Sequence, residues 1–479
     1  MDARFATSSK TPLILAVSFL AAGLAGCMVG PSYKRPDVAP VKEFRSQVGP
    51  SEASSLADQP WWQVFNDKAL QALISEGLAN SYDLQVTVAR IDEAAAQVGI
   101  VRADLYPQVN YQALATRQRS FVPLQPPVNL TYNSFGLGAS AAWEIDVWGR
   151  IRHASDAARA NLFAQEDVRR GVMLTLVSEI AAGYFLLIEL DRELAIAQDS
   201  AAVYKRTTDL FSQRYEAGRD SKLGFVRAQA NLESSTATIA ALQRAITQQE
   251  NALCVLVGAY PRPIARGMVL TQQSTPATPV GMTTDLLQRR PDILQAEQVM
   301  IGANAEIGVA VANYFPRIGL GALFGWEATR PEDLFKSAWE VWGLAANLTG
   351  PIFQGGRLRS AKQAQEAFWR ESIAQYRKSV TVAIQETSDA LIAQQTLVGQ
   401  RAAEERQVAS LKESVDLSLQ RYNAGRASYF EVLEAEQQLF PSEDALAQTQ
   451  RDQLLAVVNL YKALGGGWNL KGEDWGQPH

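Results

Sequence analysis

The chain has 479 residues, with 45 Lys and Arg against 50 Asp and Glu, two His and two Cys, and a formal net charge of −5. That mild acidity argues against nucleic acid as a partner. No Gly-rich phosphate loop and no paired-cysteine metal spacing occurs, and His153 and His479 lie far apart in sequence, so no catalytic constellation, cofactor or metal site is legible.

Residues 1–26 read as an export signal. Arg4 and Lys10 form a basic start, Leu13 to Leu20 an apolar run, and Leu24-Ala25-Gly26 precede Cys27. Small residues before a cysteine resemble the bacterial lipobox, which makes Cys27 the expected lipid-attachment residue. Met28 rather than aspartate follows, and by resemblance to lipoprotein sorting signals the protein is expected in the outer membrane. Only Cys254 remains, between Leu253 and Val255, as a small buried hydrophobe. The most apolar later stretch, 172–190, carries Glu179 and Glu189, so no later segment reads as a spanning helix and any membrane crossing must use strands.

A helix over 83–105 leads into a first strand pair, 108–119 and 134–147. From Ser134 to Trp148 the alternation puts Phe135, Leu137, Ala139, Ala141, Trp143, Ile145 and Val147 on one face and Ser134, Gly136, Gly138, Ser140, Glu144 and Asp146 on the other. That period of two suits an outer-membrane strand, apolar to lipid and polar to a lumen. Pro123, Pro126 and Pro127 mark the loop between the two strands. Residues 150–216 and 221–257 then read as long helices around a turn, with Gly218 suited to a left-handed C-cap and Asp220 or Ser221 to an N-cap. Met173, Val177, Ile180, Tyr184, Leu187 and Leu194 follow a coiled-coil-like spacing.

The second half repeats this order about 207 to 209 residues later. A helix over 292–315 leads to strands 317–326 and 341–352, and helices 357–423 and 428–464 follow, with Pro441 predicting a kink in the last. Leu105-Tyr106-Pro107 returns as Tyr314-Phe315-Pro316, and Arg214-Tyr215-Glu216-Ala217-Gly218 as Arg421-Tyr422-Asn423-Ala424-Gly425. Arg150 and Gly258 return as Arg357 and Gly465. Trp143, Trp148, Trp326 and Trp342 lie toward strand ends, where an interfacial girdle wants them. Four strands cannot close a barrel, since about eight is the smallest number that does. The barrel must be shared between copies, and two copies or three both satisfy that physics.

These features, with Cys27-Met28-Val29-Gly30-Pro31-Ser32-Tyr33-Lys34-Arg35-Pro36, Trp61-Trp62-Gln63-Val64-Phe65, Gln288-Arg289-Arg290-Pro291-Asp292-Ile293 and the run 459–468, resemble the TolC-like outer membrane factors, in their NodT-type efflux lipoprotein branch. The resemblance implies a mainly α chain with membrane β: a homotrimer whose twelve-stranded β-barrel continues as a long α-helical coiled-coil barrel, internally duplicated. It divides the mature chain into a 27–82 equatorial segment, repeat 1 over 83–290, repeat 2 over 291–465 and a 466–479 equatorial tail. It implies no enzyme activity, no cofactor, and partners in a periplasmic adaptor and an inner-membrane transporter. The function implied is the exit channel of a tripartite efflux pump. Protein secretion or heavy-metal efflux could use the same duct, and a structural lipoprotein stalk is the alternative of another class. By the same resemblance, Glu431 and Glu434 fall on ring-forming positions of a periplasmic gate, with Arg421, Tyr422 and Arg219 as latch partners. The alternative for Glu431 and Glu434 is an ordinary solvated acidic face, continued by Glu436. The first-repeat equivalent of Glu431 is Gly224.

Overall fold

The computed structural model describes residues 28–37, 43–45, 55–122, 128–276 and 286–466. Cys27, the signal, most of the tail and His479 lie outside the described residues. The chain divides into two compact units. One takes the N-terminal stretch to Asp37 with Arg90–Gln165 and Gln295–Tyr376; the other takes Val38–Ala89, Glu166–Leu294 and the chain from Arg377.

The first unit holds a four-stranded antiparallel sheet in the order β1 (Gln108–Val122), β2 (Val128–Ile145), β3 (Arg317–Ala328), β4 (Glu340–Thr349). Its register aligns the alternating faces across all four strands. Leu137 stands opposite both Ala113 and Trp326, and Ala322 opposite both Ala141 and Leu344. Cross-strand partners share a face, so Val109, Tyr111, Leu137, Leu320, Phe324 and Leu344 form one apolar side. The other side carries Asn110, Gln112, Ser140 and Asn347 among six glycines: Gly136, Gly138, Gly319, Gly321, Gly325 and Gly343. Side chains this small let a sheet curl toward them; a Cβ on Gly325 would stand 2.5 Å from the Cα of Gly138.

Sequence periodicity placed the strands but not all their ends. β2 begins at Val128, so β1 and β2 extend as a two-stranded ribbon beyond the Phe135–Ala328 pair where β3 pairing stops. In that ribbon Arg117 and Arg119, within the expected first strand, pair with Asn133 and Thr131, whose polarity hid the start of β2 from a search for apolar alternation. β2 ends at Ile145 because Asp146 turns back to accept the N–H groups of Ile151 (3.1 Å) and Arg152 (3.0 Å). Capping the following helix thus ends the strand. β4 ends at Thr349, ahead of Pro351, which has no N–H for the ladder. Trp148 is not a girdle residue of a strand: it stacks on Phe315 at 4.6 Å and donates to the Pro316 carbonyl at 2.8 Å. Residues 28–37 run as a strap in this unit. Asn304 donates to the Pro31 carbonyl at 3.0 Å, His153 Nε2 lies 3.0 Å from the Val29 oxygen, and Arg35 clamps the buried Glu297 through both carboxylate oxygens at 2.6 and 2.5 Å.

Seven longer helices lie among the described residues: α1 (Lys68–Asn80), α2 (Tyr82–Ala103), α3 (Arg150–Glu216), α4 (Lys222–Leu256), α5 (Pro291–Ala312), α6 (Arg357–Asn423) and α7 (Tyr429–Ala463). α3 and α6 each have 67 residues, and α4 and α7 each have 35, so the repeat extends to helix length. α7 continues through Pro441 without a break. In the second unit Val177, Ile180, Tyr184 and Leu187 are fully buried with Leu70, Ile74, Leu253, Val257 and Leu460. Met173 and Leu194, the ends of the predicted seam, are half-buried. α3 holds the one stretch among the described residues apolar enough to cross a membrane by composition, yet 56% of it is buried inside the protein. Cys254 is buried, as its apolar neighbours implied.

Asp67 organises the belt around these helices. It N-caps α1 through Ala69 N (2.9 Å) and Leu70 N (3.3 Å). It also accepts from Met268 N (2.9 Å), the Gln273 amide (2.8 Å) and the Tyr184 hydroxyl (3.2 Å), which ties the segment after α4 to α1 and α3. Arg290 is the matching cation at the entry to α5, buried between Asp292 (2.8 Å), Glu386 (2.6 Å) and the Ala463 carbonyl (2.9 Å).

Candidate gate at the helical turns

The two turns between long helices are built alike. Gly218 (φ 66°) and Gly425 (φ 70°) sit in the left-handed region, where glycine avoids a Cβ clash. Arg219 N bonds Arg214 O at 2.8 Å, and Arg426 N bonds Arg421 O at 2.9 Å, which satisfies carbonyls left open at each helix end. Ser221 and Ser428 occupy the next N-cap positions without a side-chain cap bond, while Asp220 accepts from Ser221 N at 2.7 Å.

Of the residues singled out by sequence, the structure brings Arg421 and Glu431 together: Arg421 Nε lies 3.5 Å from Glu431 Oε2, both well exposed. Glu434 is exposed one helical turn away and has no ion pair among the described residues. Tyr422 packs edge-on against Tyr429 at 5.1 Å, with the Arg214 guanidinium over its ring at 5.2 Å. Its hydroxyl is enclosed and has no hydrogen-bond partner among the described residues. Arg219 is exposed and is not drawn into this cluster; only its backbone takes part, through the turn.

Glu436 does not continue the exposed face. It is 5% exposed, and burial pushes its carboxyl up to about 7, opposed by Arg206. The reason is helical geometry: Val432, Leu433, Ala435, Glu436 and Leu439 lie on the buried side of α7, whereas Glu431 and Glu434 lie on the open side. Sequence reasoning also missed Tyr429. Its ring meets Phe211 edge-on at 5.1 Å and its hydroxyl bonds Thr207, and burial pushes that hydroxyl up to about 12. Arg214 was signalled, since it is the repeat equivalent of Arg421; Tyr429 replaces Lys222 of the first repeat, and nothing in the repeat announces it. Gly224, the counterpart of Glu431, faces the Phe211 ring so closely that a Cβ would lie 2.9 Å from it. The first turn therefore has no room for a matching carboxylate.

The cluster is thus an aromatic base of Phe211, Tyr422 and Tyr429 beside an exposed Arg421–Glu431 pair, with the exposed Glu434 one turn on.

The family model of the outer membrane efflux proteins matches residues 73–259 and again 283–466. The cation efflux system protein CusC of Escherichia coli is 31% identical over 451 residues, which cover 94% of this chain and 98% of CusC. The toluene efflux pump outer membrane protein TtgC of Pseudomonas putida is 32% identical over 473 residues, 96% of each chain. Among solved structures, the open state of the MtrE outer membrane channel of Neisseria gonorrhoeae superposes with a TM-score of 0.83 at 29% identity, covering 92% of this chain and 98% of that one. The Campylobacter jejuni CmeC channel reaches 0.86 at 23% identity over 92% and 95% of the two chains, a likeness of fold alone.

Proposed function

Because the chain belongs to the outer membrane efflux protein family, we propose that it forms the exit channel of a tripartite efflux pump, closed at rest by the cluster at its helical turns. It acts as a homotrimer in the outer membrane. Three four-stranded sheets make one twelve-stranded barrel, and the long helices continue it into the periplasm as a tube. The observation that carries this reading is the sheet itself, apolar on one face, glycine-rich and polar on the other, with β1 and β4 each left with a free edge. Open edges are not tolerated in lipid, so the sheet must close on other copies.

Passage is passive, and the work comes from an inner-membrane transporter joined through a periplasmic adaptor. The luminal face is mostly glycine and small polar residues beside Glu144, Arg317 and Glu327, and selection among substrates is assigned to those partners. The relatives match this, since they are named for cations in one case and toluene in another. At the periplasmic end, Glu431 and Glu434 line the constriction, six carboxylates in the trimer, with Arg421 and Tyr422 holding the turn closed. Cys27 carries the lipid that anchors the N-terminus. Native mass spectrometry of the purified protein with single-channel recording in planar bilayers tests the reading. Trimers with small closed-state conductance are expected, and dimers or a non-conducting protein reject it.

A further inference from the structure

The seam between α3 and α7 is crossed by a stripe of side chains four residues apart on α7: Glu436, Phe440, Asp444, Gln448 and Asp452. Opposite them on α3 stand Glu189, Glu193 and Tyr204. Tyr204 meets Phe440 edge-on at 5.7 Å, and Gln448 donates to Glu193 at 2.8 Å. Three carboxyl groups along this seam each have an enclosed oxygen. Glu189 Oε2, Asp444 Oδ1 and Glu436 Oε2 have no hydrogen-bond partner among the described residues, and Glu189 is 2% exposed.

Cations are too few and badly placed to keep all three ionised. Arg451 lies 3.5 Å from Glu189, but its other nitrogens bond Asp452 at 3.0 and 2.8 Å. Arg192 faces Asp444, which also feels Glu193 and Glu443, and Lys412 of α6 is taken by Glu443 at 2.8 Å. Arg206 faces Glu436, whose other ionisable neighbours are Tyr204 and Tyr429. An enclosed carboxylate without a donor is costly, whereas its protonated form is neutral and can donate.

We propose that the α3–α7 seam is a proton-binding site, and that its protonated form locks the α6–α7 hairpin against the α3–α4 hairpin and so holds the gate shut. This rests on the channel reading given above. Burial raises Glu189 to about 8, with Glu193 adding to the rise, and it raises Glu436 to about 7 and Asp444 to about 6. When the seam opens, each group returns toward the ordinary carboxylate range. The closed seam therefore binds more protons than the open one, and its advantage is complete in acid. That advantage is lost as pH rises between the ordinary carboxylate range and these raised values. The channel should open more readily at about pH 8 than at about pH 5.

The test compares the trimer with and without Glu189→Gln, Asp444→Asn and Glu436→Gln, all in a Glu431→Ala/Glu434→Ala background so that the tip carboxylates cannot respond. Open probability in planar bilayers should rise several-fold between about pH 5 and about pH 9 with the seam intact, and stay flat near the acid value in the triple variant. Infrared spectra of the trimer at about pH 6 should show a protonated-carboxyl band that weakens with each substitution. A flat response with the seam intact, a full response in the triple variant, or a band unmoved by all three substitutions overturns the proposal. Failure to conduct at any pH, with the band present, overturns the channel reading and leaves the proton site standing.

Discussion

A charge placed at Leu344 tests the membrane face directly. Leu344 lies midway along β4, opposite Ala322, which stands opposite Ala141 in β2. It is 79% exposed in the single chain, so Leu344→Arg creates no cavity and breaks no packing within the subunit. Its whole cost arises from the solvent that face meets. At a bilayer midplane an arginine on the lipid side of a barrel costs about 2–4 kcal/mol, and three copies make that roughly 6–12 kcal/mol per trimer. In water the cost is close to zero. Ser140→Arg is the matched control, opposite Leu323 and Asn110 on the glycine-lined side, where a long charged side chain can project into a wet lumen. The assay is the urea midpoint of trimers folded into liposomes, read by loss of their slow electrophoretic mobility. Leu344→Arg should lower the midpoint or abolish insertion, while Ser140→Arg should insert and alter conductance. Equal stability of the two, or the reverse order, would show that the apolar face does not meet lipid.

Cys27→Ser should block acylation and leave the signal uncleaved by the lipoprotein peptidase; mass spectrometry of the wild-type N-terminus finding a processed chain without lipid sinks that assignment. Glu431→Ala with Glu434→Ala should lower cation selectivity and weaken block by divalent and trivalent cations without disturbing the trimer, and unchanged selectivity and block would reduce the pair to a solvated helix face. Asp67→Ala removes the acceptor of hydrogen bonds from Met268, Gln273 and Tyr184 together with a helix cap, a loss of roughly 3–5 kcal/mol, and should expose the segment after α4 to protease. An unchanged digestion pattern would refute that role. Gly425→Ala and Gly258→Ala both force a side chain into the left-handed region, at about 1 kcal/mol each. Only Gly258 adds a clash, its Cβ 2.4 Å from the Asn80 carbonyl, so its denaturation midpoint should fall further; equal losses would contradict the packing.

The repeat made most of the fold legible. Gly218 with Gly425 and Gly258 with Gly465 were paired by sequence offset, and all four adopt positive φ at helix ends. Arg150 and Arg357 both prove to be first helical residues. What stayed hidden was decided by contacts between distant segments. The Arg290-Pro291-Asp292 motif could be seen, but the ion pair of the buried Arg290 to Glu386 could not. Trp148 lies one residue past the apolar phase of β2 that ends at Val147, and its environment is set by Phe315 and the Pro316 carbonyl, which come from the other repeat.

Glu431, Glu434 and Glu436 show the same limit inside one helix. Sequence spacing groups them as one acidic run, but a residue's face is fixed by what packs beside the helix. Tyr204 and Phe440 close over one side of α7, and that side takes Glu436. The two hairpins differ in the same way. Phe211 fills the space beside Gly224, so the first turn carries aromatic packing where the second carries Glu431. Tyr429 then rests on that same Phe211, so a ring of the first hairpin supports the start of the helix that bears Glu431. Phe211 of the first hairpin and Tyr422 and Tyr429 of the second therefore pack as one aromatic base, and Glu431 stays outside it, on the side that Arg421 can reach.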